Sequence, residues 1–140
     1  MKSILLLLLC MVLLLTGCAP YTLDKVHRTD PRQTGEFQVS YQALAACAKE
    51  HLQTDPWYPG QPILQSIENE TPRMIRLYSV DIGNTVFEAT FQPTALDGTS
   101  VEYRGMPAFG VHAKAWAIIE RCSQQAAPAT APSAASASAR

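Results

Sequence analysis

Charge of either sign is scarce in this chain. Lys and Arg number 11 and Asp and Glu 12, and charged residues make up 16% of the 140. With a net charge of −1 and no basic cluster, the electrostatic footprint of a nucleic-acid binder is missing. Histidine occurs only 3 times and cysteine 4 times. No Gly-rich loop joins a strand to a helix as a phosphate cradle would. No serine sits in the strand-to-helix elbow of a hydrolase nucleophile. These gaps argue against an enzyme and against a bound cofactor. Beyond residue 17 no apolar run reaches the roughly 20 residues that a membrane-crossing helix needs. The length allows one domain rather than two.

What is present begins at the N-terminus. Lys2 is followed by an unbroken apolar run, Ile4 to Leu15, and then by the small residues Thr16 and Gly17. A positive start, an apolar centre and a small-residue cleavage site make a secretory signal. The run is shorter than a membrane span, and Pro20 follows at once. Leu15-Thr16-Gly17-Cys18 resembles the lipobox of bacterial lipoproteins: a Leu, two small residues and a Cys. The resemblance covers residues 1–18. It implies cleavage before Cys18, a diacylglyceryl thioether on its sulfur, and usually acylation of the new amine by a fatty acid such as palmitate. Two or three chains anchor a protein stably, where one binds only marginally. Residue 19 is Ala rather than Asp. By the rule of enteric-type bacteria this points to the periplasmic face of the outer membrane rather than to the inner membrane.

Processing changes the cysteine count. Cys10 leaves with the signal and Cys18 carries lipid, so Cys47 and Cys122 remain. In an exported, oxidising compartment an even remainder reads as one disulfide. The competing reading is two separate buried thiols, since free Cys packs as a small hydrophobe.

Residues 1–17 are therefore read as signal peptide and 18–36 as lipidated N-terminus and tether. Residues 37–124 are read as a globular domain and 125–140 as a disordered Ala/Pro/Ser tail. Within the domain, Ser40 to about Gln53 predicts a helix. Ser40 suits its N-cap, Val39 and Leu44 sit at staple positions, and Tyr41, Leu44, Ala45, Ala48 and Leu52 share one face. Asp55-Pro56 ends it, and a loop stiffened by Pro56, Pro59 and Pro62 follows. Trp57 and Tyr58 on this loop are either an exposed contact for a partner or glycan, or a fold-back over the core edge. The second is favoured because small domains need the apolar area.

From Ile63 the period becomes two. Strands are predicted over residues 63–68, 74–80, 85–92 and 99–104, with a turn at Asp81-Ile82-Gly83-Asn84. A three-residue loop, Leu96-Asp97-Gly98, keeps Phe91 opposite Tyr103 on one face and gives Gly98 the left-handed position. Glu88 then lies diagonal to Arg104 on the outer face as an ion-pair partner. A last helix runs from Ala108 to about Ser123. Pro107 lies in its first turn, its apolar stripe is Val111, Ala115, Ile118 and Cys122, and Gly110 admits a close contact.

The expected class is α+β: helix, four-stranded antiparallel sheet, helix, both helices on one face of the sheet. Small periplasmic lipoprotein domains, including accessory subunits of outer-membrane assembly machines, are similar in architecture. Cys47 and His51 have a spacing that can ligate zinc. His112 and Cys122, about 15 Å apart along one helix, cannot both complete that site, so no metal is expected. His27 falls in the tether. The sequence thus points to a lipid-anchored, non-catalytic module that binds another envelope protein. The alternative is small-ligand or glycan binding through the Trp57/Tyr58 loop and the outer sheet face.

Overall fold

A computed structural model describes residues 20–60, 63–107 and 110–126. The signal peptide, Cys18, Phe109 and the tail from residue 127 lie outside the described residues. The elements run α1 (Leu23–His27), β1 (Gln33–Phe37), α2 (Tyr41–Thr54), β2 (Ile63–Glu70), β3 (Arg73–Asp81), β4 (Asn84–Pro93), β5 (Thr99–Gly105) and α3 (Val111–Ala126). The class is α+β. The antiparallel sheet has five strands rather than four, in the order β1-β5-β4-β3-β2. The additional strand comes from the stretch read as a tether.

That correction has a physical cause. Gln33–Phe37 contains Gly35 and little that favours a strand, so its sequence pattern is weak. It becomes a strand because the edge of β5 offers it a ladder, from Gln33 opposite Tyr103 to Phe37 opposite Thr99. Phe37 then tilts against Trp116 with ring centroids 6.0 Å apart. Upstream, Thr22 caps α1 by accepting from the Lys25 amide at 3.3 Å, and Val26 is fully buried.

The core lies between the sheet and the pair α2 and α3. Phe87, Ala89, Phe91, Val101 and Tyr103 face Leu44, Ala48 and Leu52 of α2 and Ala115, Ile119 and Cys122 of α3. Alternation along β4 and β5 and the 3.6-residue period of the helices put these side chains on facing surfaces. Phe87 and Tyr103 stack at 5.4 Å. The opposite face of the sheet is partly covered by α1, which packs on β4 and β5.

Ser40 caps α2 as its sequence suggests, its side chain accepting from the Ala43 amide at 3.3 Å. Ser40→Ala is expected to cost about 1 kcal/mol, read as a lower urea midpoint with an unchanged slope. A midpoint that does not move would mean the cap contributes nothing.

Two turns differ from expectation. Phe91 pairs with Val101 and Pro93 with Thr99, which leaves residues 94–98 as the β4–β5 loop. The shift from the expected register is an even one, so every side chain keeps its face. The loop closes on itself. The Thr94 amide donates to the Gly98 carbonyl at 2.9 Å, the Gly98 amide donates to Thr94 Oγ1 at 3.1 Å, and Asp97 takes the left-handed conformation at φ 57°. Gly98 serves another purpose, since a Cβ there would lie 2.7 Å from the Phe37 carbonyl. At the other turn, α3 starts at Val111 rather than Ala108. Gly110 just before it has φ 63° with open space beside it, so it supplies a backbone conformation and not a close contact.

Candidate functional site

Three groups of chemically capable side chains emerge from this fold. The first lies where α2 meets α3. Cys47 and Cys122 form a disulfide with Cα atoms 5.8 Å apart. Cys122 is fully buried in the α3 stripe, and Cys47 sits at the margin of the α2 face. His51, one turn after Cys47, brings an imidazole close enough that its ligand atom and the two sulfurs lie within 4.8 Å of one another. The sulfurs are bonded to each other, so neither offers the thiolate that zinc requires. His51 Nδ1 instead faces Asp55 Oδ1 at 3.5 Å, and Asp55 also pairs with Arg121. The Arg121 hydrogen bond, with a smaller contribution from His51, holds the Asp55 carboxyl below the usual carboxylate range.

The second group is buried under the start of α3. Tyr103 Oη and His112 Nδ1 are 2.9 Å apart, and His112 Nε2 is 2.5 Å from the Met106 carbonyl. Burial pushes the Tyr103 hydroxyl well above its ordinary pKa, so it stays protonated and donates to Nδ1. Nε2–H donates to Met106. His112 is therefore held neutral, and burial lowers its pKa below 6.5 despite the Met106 carbonyl. The unfolded chain binds a proton at this side chain more readily than the folded one, so stability rises with pH through this window. The contribution is complete above about pH 6.5 and is lost as pH falls toward the folded pKa. NMR titration of the His112 ring should give a midpoint below 6.5. A midpoint at or above that value would refute the assignment.

The third group lies on the outer sheet face, and sequence reasoning missed it. Glu88 of β4 is fully buried. Its carboxylate accepts from His27 Nδ1 at 3.0 and 3.1 Å, from Arg76 Nη1 at 3.4 Å and from Thr90 Oγ1 at 3.4 Å. His27, assigned to a tether, has a fixed geometry because α1 lies across β4. Arg104, the expected partner of Glu88, pairs with Glu102 at 2.7 Å and donates through Nε to the Thr29 carbonyl. The only signal available was a glutamate in a strand whose neighbours are all apolar or β-branched. Among the described residues His27 hydrogen-bonds only to Glu88, so the pair acts as a clasp for α1.

The aromatic loop is not a surface platform. Trp57 is 3% exposed, donates through Nε1 to the Leu52 carbonyl at 2.7 Å, and meets Phe87 edge-on at 5.2 Å. Tyr58 is half-buried and donates to Asp81 Oδ2 at 3.0 Å. The apolar area of the indole is worth more in the core than in water. This takes the Trp57 indole out of the surface on which a glycan site or partner contact was premised, while Tyr58 keeps part of its ring exposed.

Concavities flank β2, the strand that ends the sheet among the described residues. A groove of about 320 Å³ runs between α2 and β2, lined by Ala45, Lys49, Ser66, Glu68 and Leu77 among others. Lys49 Nζ donates to Ser66 Oγ across it at 3.1 Å. Among the described residues β2 is the last strand of the sheet, and none of them pairs with its outer backbone edge. Compared with protein families and with curated proteins, the chain matches no family model and no curated sequence.

Proposed function

We propose that this chain is a bacterial lipoprotein, anchored by acylated Cys18 at the periplasmic face of the outer membrane, whose domain is a non-catalytic module that binds another envelope protein. The anchor rests on the lipobox resemblance of Leu15-Thr16-Gly17-Cys18. The binding role rests on the groove beside the outer edge of β2, which is unpaired among the described residues. An extended segment of a partner can add to such an edge through main-chain hydrogen bonds while its side chains enter the groove. Lys49 and Glu68 in the lining supply one charge of each sign for register.

Two experiments test the two halves. Cys18→Ser is expected to abolish palmitate labelling and leave uncleaved precursor. Label retained by the variant would sink the anchor. A photo-crosslinking residue at Glu68, in lipidated protein taken from mild detergent, is expected to give one discrete adduct that the same residue at Leu96 does not. A clean monomer from both positions would count against the binding role.

A further inference from the structure

We propose that the β3–β4 hairpin tip, with Ile82 at its apex, contacts the lipid surface and orients the domain on the membrane. This rests on the proposed lipidation of Cys18. The first described residues are already part of the fold. The Tyr21 amide donates to Asn84 Oδ1 at 2.8 Å, and the Tyr21 carbonyl accepts from the Thr85 amide at 2.6 Å. Asn84 Nδ2 in turn donates to the Ile82 carbonyl at 3.3 Å. Tyr21 is therefore fastened to the hairpin end, one side chain away from Ile82.

Three peptide units separate Cys18 from Tyr21. Fully extended they span at most about 11 Å. The interfacial layer on each side of the roughly 30 Å hydrocarbon core is itself several ångströms thick. A lipid on Cys18 thus leaves no tether long enough to lift this end of the sheet away from the headgroups.

The chemistry of that end suits an interface. Ile82 is 92% exposed, and Ile63, opposite Val80 at the same end of the sheet, is 65% exposed. Ile82 also has φ 46°, in a two-residue turn with Gly83 at φ 74°. Such turns select Asn, Asp or Gly, and a β-branched residue is disfavoured there. An isoleucine in that place benefits neither the turn nor a solvated surface. Lys25 Nζ lies 4.6 Å over the Tyr21 ring, which places a cation beside the phosphates of anionic lipids. The acidic groups nearby are engaged: Asp81 with Tyr58, and Asp24 with Arg28. Leu96, 81% exposed, sits at the β4–β5 loop on the opposite end of the sheet and serves as the internal control.

The test uses the full lipidated chain in vesicles of phosphatidylethanolamine and phosphatidylglycerol. With Cys18 acylated and Cys47 and Cys122 bonded, Ile82→Cys or Leu96→Cys supplies the one free thiol for a polarity-sensitive fluorophore. The label at 82 is expected to shift to the blue and to be quenched several-fold more by shallow spin-labelled lipid than the label at 96. Protein that floats with the vesicles while both labels behave alike overturns the membrane contact and leaves the anchor standing. Protein that does not float overturns both.

Discussion

Reducing the Cys47–Cys122 disulfide is expected to lower the melting temperature by roughly 10–30 °C. The bond joins residues 75 apart in sequence and so closes most of the domain. Loop-entropy arithmetic for that separation gives about 4.5 kcal/mol, within the about 2–5 kcal/mol that native disulfides in small exported domains are worth. In a domain of this size each kcal/mol moves the midpoint by about 4–8 °C. The effect is large because a domain of this size has a small core. Cys47→Ala should reproduce the loss. Cys122→Ala should exceed it, because Cys122 is fully buried and its removal also opens a cavity in the α3 stripe. Intact-mass analysis of protein alkylated while unfolded and unreduced checks the premise. Alkyl groups on both Cys47 and Cys122 would refute it, as would a melting temperature indifferent to reductant.

The second large effect is expected at Glu88. Glu88→Ala should cost about 2–4 kcal/mol, because it leaves the Arg76 guanidinium without its carboxylate. This is below the full range for a broken buried pair, since the Arg76 side chain is 21% exposed and that of His27 49%, and water screens both. The loss should be local before it is global. Without Glu88, His27 no longer clasps α1, and amide exchange should rise first over Tyr21–Thr29 while the β3–β4 ladder stays protected. Removing both members of the buried pair, in Glu88→Leu with Arg76→Leu, should recover much of the stability because the Arg76 guanidinium is then no longer left without its carboxylate. Uniform exchange across the domain in Glu88→Ala would mean that α1 is not held by this clasp.

The two predictions differ in how far the sequence foretold them. The Cys47–Cys122 pairing is suggested by counting cysteines after export and by helical spacing, both local properties. Glu88 offers no such count. Its partners His27 and Arg76 lie 61 and 12 residues away, and nothing in a strand's alternation says whether its outward face will be covered.

By itself the sequence determined the elements whose side-chain period is strong: the helix begun by Ser40, the alternating strand around Phe87, Ala89 and Phe91, the Asp81–Asn84 turn, and the apolar stripe ending at Cys122. It determined the α+β class through their order, because each face must be buried against another element. Tertiary structure decided the rest. β1 exists because the edge of β5 needed a ladder, although Gln33–Phe37 has little strand character of its own. Trp57 went inward because Phe87 and the Leu52 carbonyl met both its ring and its N–H. The β4–β5 register moved by two residues because Thr94 and Gly98 close their own turn, a choice that preserves every face and so leaves no mark in the hydrophobic pattern. Periodicity reports which side of an element is buried. It carries no information about which distant backbone or charge will arrive to cover the other side, and that is where β1, the Glu88 clasp and the docking of Tyr21 were settled.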